Sequence, residues 1–70
     1  MRVRLSDPAL RADLRDFLHR WGCVTYEVKD GVIEVIIPDA PDERKGRREL
    51  GLYLETWRAH NPGLALELLD

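Results

Sequence analysis

The stretch Cys23–Ile37, CVTYEVKDGVIEVII, decides the fold. Two alternating apolar runs meet there at Asp30-Gly31, a pair favoured in tight hairpin turns that need positive φ at both central positions. Setting Lys29 opposite Val32 places Val28 against Ile33, Tyr26 against Val35 and Val24 against Ile37. These apolar residues then share one side of the hairpin, and Thr25, Glu27, Glu34 and Ile36 share the other. The first side is expected to be buried and the second mostly wet, because a strand alternates its faces with period two.

Upstream, Leu10, Leu14, Phe17, Leu18 and Trp21 follow helical spacing and predict a helix over 8–21. Asp7 is its cap, Pro8 suits the first position, and Gly22 is the stop. Met1 to Leu5 alternates Val3 and Leu5 with Arg2 and Arg4 and reads as a short strand. Downstream, Pro38-Asp39-Ala40-Pro41-Asp42 is a breaker-rich loop. A second helix opens near Pro41, carries the stripe Gly46, Leu50, Tyr53, Leu54 and Trp57, and ends at Asn61-Pro62-Gly63. Gly46 on the buried stripe predicts a close approach of that helix to the sheet. Gly51 has no such explanation. The last run alternates Leu64, Leu66 and Leu68 with Ala65, Glu67 and Leu69, and reads as a strand.

The order strand, helix, strand, strand, helix, strand resembles the split βαβ, or ferredoxin-like, superfold and, more loosely, its ACT-type regulatory domains. The resemblance implies an α+β fold, one domain spanning residues 1–70, with a four-stranded antiparallel sheet in the order 4-1-3-2 and two helices on one face. The other face is expected to carry Arg2 and Arg4 between Glu34 and Glu67, a cross-strand ionic ladder, with Glu27 facing Glu34 as a like-charge pair. Other users of the superfold fit poorly. No aromatic residue is expected on the open face of the two central strands, where RNA-recognition motifs stack bases. The Leu5-Ser6-Asp7-Pro8 loop has neither the cysteine pair of metal chaperones nor the phosphate-cradling loop of acylphosphatases.

Composition narrows function without naming it. A chain with 44% hydrophobic and 34% charged residues belongs to the folded class. A net charge of −2 argues against nucleic acid as a partner. The lone Cys23 permits no disulfide within one chain and no cysteine-based metal centre; its parity, opposite to Val24, places it at the open face or a sheet edge, where it reads as a small apolar filler. No signal-peptide core or membrane-length apolar run is present, so a cytoplasmic setting is expected. His19 and His60 fall near opposite helix ends and cannot share a metal. With no nucleophile–base pair and no carboxylate dyad in a pocket, the chain is not expected to be an enzyme, and no cofactor is expected.

Two functional surfaces remain. Val32, Ile36 and Leu69, beside Arg2, Arg4, Glu34 and Glu67, form a possible contact surface for a homodimer or another protein partner. A seventy-residue domain has a small core, which self-association would reinforce. Arg44, Lys45, Arg47 and Arg48 at the start of the second helix form an alternative contact for a small ligand, an anion or nucleic acid. Acidic neighbours and i,i+4 pairs also explain them as a solvated helical face. The expected role is therefore a protein-interaction or regulatory module.

Overall fold

The structure, a computed structural model, describes residues 1–69. Its elements are β1 (Arg2–Arg4), α1 (Pro8–Arg20), β2 (Val24–Lys29), β3 (Val32–Ile36), α2 (Glu43–Ala59) and β4 (Glu67–Leu69). One antiparallel sheet has the order β2-β3-β1-β4, the expected 4-1-3-2 arrangement in reverse listing. This α+β arrangement is compatible with a ferredoxin-like fold.

Both helices begin where the sequence supplies a cap. Asp7 accepts from the Ala9 and Leu10 amides at 3.0 and 3.3 Å. Asp42 accepts from the Lys45 amide at 2.8 Å. Each carboxylate satisfies amides that the first helical turn leaves without partners and favours the positive helix end. Leu14 and Leu18 of α1 share one buried cluster with Leu50, Leu54 and Trp57 of α2 and with Val3, Leu5, Ile33 and Val35 from the sheet side. Met1, Leu10, Phe17, Ile37, Leu64, Leu66 and Leu68 close its rim. The indole Nε1 of Trp57 donates to Asp13 Oδ2 at 2.9 Å, so the helices are tied by a polar bond as well as by packing.

Strand β2 departs from the expected register. Lys29 does face Val32, but Val28 is then passed over, and Glu27 faces Ile33, Tyr26 faces Glu34, Thr25 faces Val35 and Val24 faces Ile36. The irregularity between Glu27 and Lys29 adds one residue to β2, and one extra residue sends every earlier side chain to the opposite face. The turn also differs from expectation: Gly31 has φ of +78°, while among the described residues no non-glycine residue, Asp30 included, has positive φ. The mirror-image turn that Asp-Gly predicts is therefore not formed. Thr25, expected outside, is buried. Val24, Tyr26 and Val28, expected in the core, are exposed. The predicted Glu27–Glu34 clash does not arise.

Smaller differences follow from local chemistry. Trp21 lies one residue past α1 and is exposed rather than part of the core. Cys23, expected at the open face or a sheet edge, is buried in the main cluster. The final strand is only Glu67–Leu69, although Leu64 and Leu66 still pack against the core. A Cβ on Gly46 would meet the Ala40 Cβ at 3.3 Å and the Met1 Cε at 3.6 Å, so its close approach is to the loop and the N-terminal residue.

Candidate functional site

The open face of the sheet is assembled from alternate residues of all four strands. One row across it runs Tyr26, Glu34, Arg2, Leu69. The next runs Val32, Arg4, Glu67. Val24 and Ile36 pair beyond Tyr26. The face is thus mixed, with Arg2, Arg4, Glu34 and Glu67 across its middle and far side, and Val24, Tyr26 and Ile36 together with Lys29 toward β2.

The charged part matches the expected ladder. Arg2 Nε donates to Glu34 Oε1 at 3.3 Å, and Arg4 Nη1 donates to Glu67 Oε1 at 3.2 Å. The Met1 amine also donates to Glu34 Oε2. That bond, ahead of the opposing effect of burial and with further help from Arg2, holds the Glu34 carboxyl below its ordinary range. The arginine pairs are exposed and fix register more than they stabilise.

The apolar part is the feature that the sequence places elsewhere. Val24 is 39% exposed, Ile36 42% and Tyr26 54%. Val28, the additional residue of the strand, is 40% exposed. Val32 and Leu69 were grouped with Ile36 by sequence. Val32 is on this face but only 1% exposed, and Leu69 is half-buried at the far edge. Ile36 is therefore the member of that set open to a partner, and Tyr26 and Val24 join it. Arg2, Arg4, Glu34 and Glu67 flank them.

The reverse side of β2 is polar and explains the inversion. Thr25 Oγ1 accepts from Arg15 Nε at 3.1 Å and lies 2.9 Å from His19 Nε2. Glu27 Oε1 sits 3.7 Å from Arg11 Nε and 3.9 Å from Arg15 Nη1. Arg11 also donates through Nη1 to the Leu5 and Ser6 carbonyls at 3.0 and 2.8 Å. Arg11, Arg15 and His19 recur every four residues, so α1 presents one polar row. Thr25 and Glu27, two apart on a strand, meet that row. This matching of a helix spacing to a strand spacing is the sequence signal that alternation of apolar residues alone conceals.

The basic group Arg44, Lys45, Arg47 and Arg48 lies in the first turns of α2, with Arg44, Lys45 and Arg48 exposed. The depression beside that helix start is lined by Met1, Ile36, Ile37, Ala40, Asp42 and Glu43, so acidic rather than basic side chains face it. On the helical side, Trp21 stacks on Tyr53 at 5.5 Å and meets Phe17 edge-on at 6.4 Å. Trp21 remains 57% exposed despite these contacts.

Burial, and then the charge of Glu49, push the Cys23 thiol upward. A thiol held protonated is a poor nucleophile. Among the described residues, no group of three or more His, Cys, Asp or Glu side chains is placed to hold a metal ion. No helix among them is long and apolar enough to cross a membrane. Comparison with family models, with curated proteins and with solved structures gives no match.

Proposed function

We propose that the chain is a cytoplasmic, ferredoxin-like protein-interaction or regulatory module that acts as a homodimer, with β2 and the adjoining part of the open face as its contact region. The observation that carries this reading is the inversion of β2. The strand gives its polar side to the domain's own helix and its apolar side chains, Val24 and Tyr26, to solvent. An isolated exposed apolar residue needs no explanation, but a contiguous patch bordered by charges is typical of a contact surface. Arg2, Arg4, Glu34 and Glu67 are balanced in sign, which suits a surface that meets its own copy around a two-fold axis.

A standard interface covers about 800 Å² on each partner, about one sixth of the 4686 Å² surface of this chain. Affinity does not follow from area, so any dilution series has to span a wide concentration range. Light scattering over a dilution series tests the reading. The mass should rise from 8.1 kDa toward twice that value with concentration. A mass fixed at 8.1 kDa throughout removes the homodimer.

A further inference from the structure

We propose that the cleft where β1 and the chain leading into β4 part is a binding site for a small organic monocarboxylate. Arg4 and Ser6 form one wall, Ala65 and Glu67 the other, and Arg58 reaches in from the last turn of α2. The volume they enclose is about 280 Å³.

The cleft stands where a ladder stops one pair short. Met1 exchanges two backbone bonds with Val35, and Leu5 donates its N–H to Gly31 O at 2.7 Å. Met1 and Leu5 therefore turn toward β3. Successive residues of an antiparallel strand address opposite neighbours, so Arg2, Arg4 and Ser6 turn toward β4. Arg2 meets Leu69 and Arg4 meets Glu67. The next pair in that series is Ser6 with Ala65, and it is not formed, because β4 begins only at Glu67. Ser6 and Ala65 line the cleft instead, and neither N–H has a hydrogen-bond partner among the described residues.

Most of the groups left over are donors. The Ser6 carbonyl is taken by Arg11 Nη1 at 2.8 Å, so Ser6 offers its N–H and its hydroxyl. Ala65 adds a second N–H. Arg58 is exposed and has no side-chain partner among the described residues, so its whole guanidinium is available. Arg4 gives Nη1 to Glu67 at 3.2 Å and keeps its other nitrogens. Arg4 and Arg58 against Glu67 leave an excess of one positive charge, which a single carboxylate balances. A doubly charged phosphate overshoots that balance beside Glu67. The carboxylate is planar and accepts at two oxygens, which suits a guanidinium fork and two backbone N–H groups. Leu64 and Leu66 are partly buried and give the cleft apolar surface for the rest of the molecule. Pockets for drug-sized ligands hold about 300–1,000 Å³, so this one fits a molecule smaller than those.

The cleft lies at the Arg4 end of the sheet, whereas Val24 and Ile36 pair at the opposite end. Ligand binding here and self-association through β2 are therefore separate properties, and either can fail without the other.

Titration of the isotope-labelled chain with sodium isovalerate, at fixed pH and ionic strength and followed by amide chemical shifts, tests the site. The Ser6 and Ala65 amides should move together and saturate along one binding curve. Arg58→Gln, at an exposed position outside the core, should raise the dissociation constant by about tenfold or more through loss of a charge-assisted bond. Inorganic phosphate should bind more weakly than isovalerate at these amides. Shifts that never saturate, or a dissociation constant that Arg58→Gln leaves unchanged, overturn the site. Tighter binding of phosphate overturns its assignment to a carboxylate.

Discussion

Exchanging the expected costs of two neighbouring truncations gives a sharp test of the β2 register. In Tyr26→Ala, the ring removed is 54% exposed and packs outside the main cluster. The loss is then mostly strand preference, within about 1 kcal/mol. Were Tyr26 in the core, as alternation alone suggests, truncation would cost about 3–5 kcal/mol, the range for buried aromatic side chains. In Thr25→Ala, a hydroxyl in a residue only 6% exposed disappears, and Arg15 and His19 lose their shared partner. A lost hydrogen bond to a charged group, here Arg15, costs about 1.5–3 kcal/mol, and because Arg15 and His19 can reach water the lower part of that range is expected. For a domain of this size the whole stability is about 4–10 kcal/mol, and each kcal/mol moves Tm by about 4–8 °C. Urea unfolding, at a protein concentration low enough that the midpoint no longer depends on it, measures both costs. Thr25→Ala should lose more than Tyr26→Ala. A loss of 3 kcal/mol or more for Tyr26→Ala, with Thr25→Ala nearly neutral, would refute the observed register.

Other expectations follow from single sites. Leu50 is fully buried between the helices and sheet, so Leu50→Ala should cost about 2–5 kcal/mol in the same assay. Nothing lies within 4 Å of a Cβ on Gly51, so Gly51→Ala should gain nearly the full helix preference of about 0.8–1 kcal/mol, while Gly46→Ala, crowded by Ala40, should gain less. The Glu34 carboxyl is held low in the folded chain, so its contribution is present above the ordinary carboxylate pKa and is lost as pH falls through the depressed value. Unfolding measured across the acid range should show a shallower loss of stability in Glu34→Gln than in wild type. Cys23 is buried and its thiol is pushed upward, so iodoacetamide should modify it slowly at neutral pH in the folded chain and readily in urea.

Much of the fold was legible because period and punctuation agree. The stripe through Leu14 and Leu18, the cap Asp7 and the stop at Gly22 point to α1 as it forms, whereas α2 starts at Glu43 with Asp42 as its cap, two residues later than Pro41 suggests. The strand order followed from chain order, and Arg2 with Glu34 and Arg4 with Glu67 followed from it in turn. The face of β2 was not legible. One additional residue near Val28 reverses the strand, and an alternating pattern looks the same whichever face is buried. Asp30-Gly31 signalled a turn correctly but not its type, because only Gly31 takes positive φ. Ile36 was therefore recognised as exposed, whereas Tyr26 and Val24 were assigned to the core. Val32 illustrates the reverse error: its face was right, but the neighbours that cover it are set by tertiary packing, which spacing does not encode.

The most direct test of β2 as the contact strand is sedimentation equilibrium on wild type and Tyr26→Lys side by side, with circular dichroism confirming that both are folded. A lysine in place of the half-exposed ring leaves the monomer core untouched but brings a like charge from each copy into the contact. The dimer dissociation constant should rise by about tenfold or more, the factor that corresponds to about 1.4 kcal/mol. An unchanged dissociation constant, with wild type clearly dimeric, would contradict the assignment of β2 as the contact strand.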